Sequence, residues 1–208
     1  MISKISNQIT QSLLKKNLIL DEEKELYNYG LFMLISYIVF LLISILFGVI
    51  FNITFESMLF YISFCLVRNF AGGIHANTEI KCDVFTTISI FMSVMLIKFL
   101  IDYKFLIIAL VIQIISFVCL CSIKPVDTYQ KQISQEEKLF FHRKVITIVM
   151  FILSLSVVGS IIKVYSVVIA FSVSLLLSTI LLIMGKMQFY IQKLNCSTTN
   201  ISSIMSKR

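Results

Sequence analysis

The stretch from Arg68 to Cys82 holds the side chains best suited to chemistry. It reads RNFAGGIHANTEIKC and is a polar interruption between two apolar runs. One of the two histidines, His75, lies here, and so does Cys82, the one cysteine with charged neighbours on both sides. A cysteine becomes a good nucleophile when a nearby cation or histidine favours its thiolate, and the histidine can then act as general base and general acid. These residues indicate a thiol nucleophile, Cys82, with an imidazole base, His75.

The spacing of the two residues limits how they could act together. On a straight helix, seven residues would put both on one face but about 10.5 Å apart along the axis, at about 1.5 Å per residue. That separation is too large for proton transfer, so we expect the segment between them to bend or to be partly non-helical. The adjacent Gly72 and Gly73 let the backbone turn or approach a ligand closely, and we expect the chain to break there.

Each of these residues also has an ordinary structural interpretation. A lone histidine and cysteine near a membrane surface are often incidental, and Arg68 could simply mark the end of a span, although its guanidinium could hold a carboxylate in a bidentate pair. A closed zinc site needs more ligands than these two, and His142 would have to come from another loop. We interpret His142 as a solvated interface residue. The sequence has no HExxH, P-loop or CxxCH motif, and we expect no metal and no cofactor.

The composition is that of a membrane protein. Of 208 residues, 58% are hydrophobic and 14% charged, and the mean hydropathy of +0.95 lies outside the range of soluble domains. The first 28 residues lack the apolar core and cleavage site of a removable signal peptide. Of five cysteines, three lie inside apolar runs, where a free thiol behaves as a small hydrophobe, so no disulfide framework is indicated. With one proline and six glycines, residues 1–208 are predicted to form a single membrane domain.

The apolar runs predict an all-α protein with about six transmembrane helices. About 20 apolar residues cover a hydrocarbon core of roughly 30 Å. The last run, from 145 to 184, is twice too long for one crossing and must turn, and we expect the turn between 159 and 166 with Lys163 at the tip. Residues 53–67 form either a short span, extended by residues 69–71, or a re-entrant segment, and we favour the span. The other predicted spans are 31–51, 84–101 and 105–123.

The polar segments complete this organisation. Ile2, Ile5, Ile9 and Leu13 recur at helical spacing, which predicts an amphipathic helix in the membrane interface within residues 1–28, or alternatively a frayed terminus. The transmembrane region covers 29–184, with a site loop at 68–83 and a polar loop at 124–144, and a polar tail covers 185–208.

The distribution of positive charge predicts the orientation. The net charge of +7 alone could suit nucleic acid, acidic lipid or an acidic substrate. On the six-span arrangement, 15 of the 18 lysines and arginines lie on one side of the membrane, and only Lys98, Lys104 and Lys163 lie on the other. By the positive-inside rule, both termini and the site loop are cytoplasmic. The charge is therefore explained by membrane lipid and orientation, and we expect no nucleic-acid partner.

The site loop resembles a known family. The chain contains the pattern R-x-x-x-G-G-x-H-A-x-x-x-x-x-C and in this respect is similar to accessory gene regulator B, the membrane endopeptidase of Gram-positive quorum-sensing systems. A second family signature, A-P-V-D, is matched in part by residues 124–127, where Lys124 replaces the alanine. The arrangement of spans also agrees over nearly the whole chain. The first pattern is matched by Arg68, Gly72, Gly73, His75, Ala76 and Cys82.

The resemblance implies a substrate and a reaction. Members cleave a small amphipathic propeptide on its C-terminal side, and the product is closed into a thiolactone or lactone ring. By position, Cys82 would be the nucleophile and His75 its base. The propeptides have an acidic C-terminal tail, which would be attracted by Arg68, assisted by the glycine pair at 72 and 73, and by a basic group in the following loop. That group is Lys131, Lys138, Arg143 and Lys144.

Two other interpretations are kept open. A transporter of small solutes or peptides would place ionisable groups or broken helices near the bilayer midplane, and a non-enzymatic scaffold would need neither. Here the predicted spans are nearly free of charge and the polar groups collect on one face, which favours surface chemistry. For Lys131 and Lys138, a role in membrane orientation alone is an equal alternative. Whether the protein is a monomer or a homodimer is also left open.

Overall fold

Seven α-helices make up the regular structure of the described chain. The structure is a computed structural model, and it describes residues 2–16, 18–72, 79–123 and 135–205, with the side chains of these residues except 79, 135, 138, 189 and 192–205. A short 3₁₀ turn, Asp21–Glu23, precedes the second helix. The helices are α1 Ile2–Lys15, α2 Lys24–Ile50, α3 Thr54–Ala71, α4 Glu79–Asp102, α5 Leu106–Ser122, α6 Gln135–Ile161 and α7 Tyr165–Met205.

The six helices after α1 confirm the predicted all-α membrane fold. Segments of α2, α4, α6 and α7 are long and apolar enough to cross a membrane, and α5 is a shorter apolar helix. The segment 53–67 forms α3, which continues to Ala71 and also includes the charged Glu56 and Arg68. The last apolar run turns at 162–164, as predicted. Unlike the prediction, α7 does not end near residue 184, because no proline follows and the lone Gly185 is tolerated within the helix.

The helices run up and down, so their ends collect on two faces. We call the face with the turns at Asn52, Lys104 and Lys163 the turn face. We call the opposite face, where α3 ends and α4 begins, the site face. The antiparallel arrangement is visible in pairs of contacts between α2 and α3, which join Ser44 to Ser57 near the turn face and Tyr37 to Asn69 near the site face.

The three connections of the turn face share one backbone geometry. Asn52, Lys104 and Lys163 each have a positive φ, of 56°, 53° and 65° respectively. In each turn the next amide donates to a carbonyl five residues back, as Ile53 N does to Gly48 O at 2.8 Å, and the positive-φ residue donates to the carbonyl three residues back. This pair of bonds is the Schellman motif, which satisfies the last carbonyls of a helix.

Helix α7 lies at the centre of the bundle. Residues 168–182 are almost all buried, and both apolar clusters of the core include α7 side chains, for example Val173 in one and Leu175 in the other. Its buried hydroxyls donate to carbonyls of their own helix, as Ser178 Oγ does to Ser174 O at 2.8 Å. Small residues of this kind let membrane helices approach closely. The central helix therefore provides a wall for any site between α3 and α4.

Helix α1 forms as predicted and packs its hydroxyl-bearing side against α2. Ser6 and Thr10 are buried against α2, and Ser6 Oγ donates to Asn28 O at 2.6 Å. Ile5 and Ile9 remain 44% and 38% exposed. Ile5 and Ile9 of the predicted apolar stripe thus point away from the protein, where a membrane interface can receive them, whereas Ile2 is buried. The reason is that the first residues of α2 offer polar partners, which the hydroxyls of α1 can satisfy and isoleucines cannot.

Candidate active site

Cys82 lies in the first turn of α4 on the site face. It is the fourth residue of the helix as described, it is half-buried, and its thiol is free. Side chains four and seven residues further along a helix share a face. Cys82 therefore lies on the same face of α4 as Thr86 and Ser89.

Thr86 and Ser89 belong to a crevice between three helices. The crevice is shallow: its empty space of about 180 Å³ includes open solvent, and it encloses no room for a water molecule. Helix α3 contributes Phe64 and Arg68, α7 contributes Leu177 and Leu181, and α4 contributes four residues between 85 and 90. The walls are mainly apolar, with one guanidinium and two hydroxyls. The nucleophilic cysteine predicted from the sequence thus lies one turn from a lined opening.

Arg68 occupies the last turn of α3 beside this crevice. Its guanidinium carbon lies 5.6 Å from the centre of the Phe64 ring, within the range of a cation–π contact. The residue is half-buried. No carboxylate among the described residues forms an ion pair with it. The arrangement leaves its planar donor group suited to an anion brought in from outside, in the bidentate geometry that distinguishes arginine from lysine.

The end of α3 is tied to α2 and then broken by a glycine. The Tyr37 hydroxyl of α2 donates to Asn69 Oδ1, next to Arg68 in sequence. Gly72 has a φ of 74°, which favours glycine over any residue with a Cβ, and its amide donates to Arg68 O at 3.1 Å. The break expected at the glycine pair is thus confirmed for Gly72. Gly73 lies outside the described residues.

Several predicted site residues cannot be placed. His75 and Lys131 lie outside the described residues, as does the Pro-Val-Asp signature at 125–127, and the side chain of Lys138 is not described. Arg143 and Lys144 are exposed on α6, and Lys144 Nζ lies 5.4 Å from the centre of the Phe140 ring. The structure therefore places Cys82, Arg68 and Gly72 at the site face, while the pairing of Cys82 with His75 stays a prediction.

His142 is less solvated than the sequence suggested. Its ring is half-buried, and Nδ1 is enclosed without a hydrogen-bond partner among the described residues. The residue lies on α6 three positions before the buried Val145, so it faces inward rather than toward solvent. In the described part of the chain, no three histidine, cysteine or acidic residues come together as metal ligands.

Sequence reasoning did not identify Tyr37, Thr86 or Ser89. The spacing of four and seven residues from Cys82 was a usable signal for the α4 pair, because it places hydroxyls and thiol on one helix face. Tyr37 gave no such signal. Its role depends on which residue of α3 lies opposite, and this follows from helix packing rather than from local pattern.

Comparison with known proteins identifies the family. The family model described as accessory gene regulator B matches residues 5–197. A protein of Clostridium perfringens strain 13 named "Putative AgrB-like protein 2" is 29% identical over 171 residues, which cover 76% of this chain and 78% of that protein. A "Putative AgrB-like protein" of C. perfringens strain SM101 is 28% identical over the same shares of the two chains. No solved structure matches the chain.

Proposed function

Because the chain belongs to the accessory gene regulator B family, we propose that it is a membrane cysteine endopeptidase. It removes the C-terminal part of a small signalling propeptide and closes the remainder into a ring. Family membership supports the broader role, processing of a quorum-sensing signal. The specific proposal, a cysteine endopeptidase, is supported by the free Cys82 thiol in the first turn of α4. This thiol lies on the helix face that leads into the crevice beside Arg68.

The first step is acyl transfer to the enzyme. The Cys82 sulfur attacks the carbonyl of the bond to be cleaved while His75 takes the thiol proton. The C–N bond breaks, and the tail leaves as an amine after receiving that proton from His75. A thioester between the propeptide and Cys82 remains.

The second step closes the ring. A thiol within the bound propeptide attacks the thioester, a new thioester forms, and Cys82 leaves with the proton, so the thiol is regenerated. Attack by a hydroxyl would give a lactone instead. A partly dry site at the membrane surface favours this transfer over hydrolysis, because little water can reach the thioester.

Charge assists substrate recognition in this proposal. Arg68 pairs with a carboxylate near the cleaved bond, and Arg143, Lys144 and the lysines of the 124–144 loop attract the rest of the acidic tail. An amphipathic propeptide would lie in the interface, which converts a bulk encounter into a local one. The basic residues support an orientation with both termini and the site face in the cytoplasm.

A transporter is the weaker alternative. Transport sites usually involve ionisable groups buried among the helices. The buried polar side chains of the described helices are serines, threonines and Gln113, and the last donates to Ser156 Oγ at 2.7 Å. Hydrogen-bonded neutral groups of this kind are suited to helix packing.

The test is co-expression with short open reading frames from the same locus, followed by mass spectrometry for a shortened or cyclised peptide. The parent should yield the product, and Cys82→Ala and His75→Ala should each yield none while inserting normally into the membrane. Cys119→Ala is the matched control, since Cys119 is a free, half-buried cysteine of α5. Absence of any processed peptide with the parent, for every frame at the locus, would refute the proposal.

A further inference from the structure

We propose that Tyr37 is a positioning residue for the reaction, because it fixes the direction in which Arg68 presents its guanidinium. Tyr37 lies on α2, outside the family pattern. It acts through Asn69, the neighbour of Arg68 in the last turn of α3. This inference rests on the proposed function, in which Arg68 binds a carboxylate of the substrate, and it extends the site to a further helix.

Three consecutive residues in the last turn of α3 contact three different neighbours. Arg68 lines the crevice beside α4 and α7, and Asn69 accepts a hydrogen bond from the Tyr37 hydroxyl on α2. The ring centre of Phe70 lies 6.5 Å from that of Phe141 on α6. Consecutive residues of a helix are about 100° apart around its axis. The contacts of Asn69 and Phe70 therefore determine how the turn is rotated, and so where the guanidinium of Arg68 points.

This turn depends on contacts from outside because its own backbone bonds end there. The amide of Gly72 donates to Arg68 O at 3.1 Å, and the φ of 74° at Gly72 then takes the chain out of the helix. The last turn of a helix keeps unpaired carbonyls and frays readily. The guanidinium of Arg68 rests on the Phe64 ring one turn back, so its direction follows that of the helix. The hydrogen bond from Tyr37 restrains this turn on the side of α2.

The distance from α2 to Asn69 requires a long side chain. The same two helices are joined nearer the turn face by Ser44 and Ser57. From that pair, Tyr37 lies about 10.5 Å along α2 and Asn69 about 18 Å along α3, at about 1.5 Å per residue. The phenol ring and its terminal hydroxyl span the offset. Phenylalanine at position 37 would keep the ring and lose the bond, so Tyr37→Phe removes the restraint with little change in packing.

The experiment measures the preference of Cys82 for an anionic reagent. Iodoacetate and iodoacetamide both alkylate the thiolate, forming an S–C bond as the C–I bond breaks and iodide leaves, but only iodoacetate has a carboxylate for Arg68 to attract. Arg68 shares the crevice with Thr86, one helical turn from Cys82. The two rates at Cys82 are read by mass spectrometry of the purified full-length chain in neutral detergent, at fixed pH and low salt.

The ratio of the iodoacetate rate to the iodoacetamide rate reports the guanidinium without a propeptide. Arg68→Gln should lower this ratio about tenfold, the size of one charge-assisted hydrogen bond. A parent ratio in Arg68→Gln would remove the anion preference that Tyr37 is proposed to direct, and would overturn the inference.

Two tyrosines of α2 give a matched pair of variants. Tyr37→Phe should lower the ratio about three- to fivefold and leave the iodoacetamide rate within about twofold, the coupling expected between residues of one network. Tyr29→Phe removes a hydroxyl from a side chain that is 63% exposed on the same helix, and should keep the parent ratio. A parent ratio in Tyr37→Phe overturns the inference. An equal fall of both rates also overturns it, because a purely structural role would give that result.

Asn69→Ala tests the same hydrogen bond from its other end. Asn69 is exposed, so the fold should tolerate its replacement, and this variant decides the matter if Tyr37→Phe is unstable. It should lower the ratio as much as Tyr37→Phe does, and the double variant should lower it no further. A parent ratio in Asn69→Ala, or additive effects in the double variant, overturns the inference. Failure of the proposed function looks different, because then the parent processes no propeptide, whereas a failed positioning role leaves processing intact.

Discussion

The connections between helices differ between the two faces of the bundle. On the turn face, all three helix pairs are joined by short turns closed by the same two backbone hydrogen bonds. On the site face, α3 and α4 are separated by the polar stretch that contains the predicted histidine, and α5 and α6 by the polar loop from 124. The turn face uses its polar backbone groups within its own turns, whereas the site face carries the reactive side chains Cys82 and Arg68.

Aromatic rings pack together near both faces, since Phe70 lies 6.5 Å from Phe141 near the site face. Phe99, Tyr103 and Phe105 pack on one another at the turn face, with ring centres 4.7 to 6.0 Å apart. Aromatic rings are enriched at membrane interfaces, where they anchor helix ends. Near them, Lys98 Nζ pairs with Asp102 Oδ1 at 2.9 Å. We infer that the turn face is a structural end of the bundle, and that substitutions there should affect stability rather than chemistry.

The largest expected effect is at the site face. Cys82→Ala should lower propeptide cleavage by roughly a thousandfold or more, since removing a nucleophile abolishes the acyl-enzyme route. Cys82→Ser should recover little, because a hydroxyl is much harder to deprotonate than a thiol. Cleavage is followed by release of the C-terminal fragment in membranes, with Cys121→Ala as control. If the Cys82→Ala variant cleaves near the parent rate, Cys82 is not the nucleophile and the chemistry is not assigned to the site face.

A glycine near the turn face should affect stability alone. A Cβ on Gly48 would meet Ser57 Cβ at 2.8 Å and Thr54 Cα at 2.9 Å, so Gly48→Ala should destabilise the fold by about 1–3 kcal/mol. Nothing lies within 4 Å of a Cβ on Gly30 in the same helix, which makes Gly30→Ala the control. Thermal unfolding in detergent should give a lower Tm for the first variant only. Equal Tm values would show that α2 and α3 do not pack this closely.

Arg68→Lys should have an intermediate effect. Lysine keeps the charge but loses the planar pair of donors, and we expect about a tenfold loss of cleavage efficiency, equivalent to one charge-assisted hydrogen bond. Lys104→Arg at the turn face is the control and should be silent. If Arg68→Lys matches the parent, and cleavage stays flat as salt rises to about 1 M, where the Debye length is about 3 Å, carboxylate recognition is not part of the mechanism.

The smallest expected effect is at the tip of the last turn. Lys163 has a φ of 65°, a conformation that glycine adopts without steric cost. Lys163→Gly should therefore leave cleavage within about twofold of the parent and leave the Tm unchanged or slightly raised. A large loss of cleavage would mean that the turn face takes part in the reaction. The assignment of structure to the turn face and chemistry to the site face would then be wrong.

The sequence predicted most of the helices because their signals are local. Runs of apolar residues located α2 to α6, although α2 and α6 begin at residues 24 and 135, well before the predicted starts at 31 and 145. The excess length of the last run predicted the turn that Lys163 occupies. Gly72 predicted the end of α3 because few other residues adopt its backbone conformation. Each of these inferences needed only the residues of one segment.

The parts that could not be predicted depend on contacts between segments. The burial of Ser6 rather than Ile5 follows from the polar Asn28 opposite, and the crevice follows from the approach of Leu177 to α4. Neither partner is indicated by periodicity. The residues of the candidate site were therefore predictable, because they lie in one stretch of the sequence. The crevice residues from other helices and the hydrogen bond from Tyr37 to Asn69 were not predictable.

The central claim is that Cys82 forms a thioester with the propeptide, and trapping that thioester tests it most directly. A propeptide whose ring-forming thiol is replaced by alanine can still acylate the enzyme but cannot release it by cyclisation. Co-expression should then yield full-length protein with the mass of the N-terminal peptide added at Cys82, and neutral hydroxylamine should remove that mass. Release of the tail with no adduct at Cys82, or with an adduct on another residue, would contradict the account.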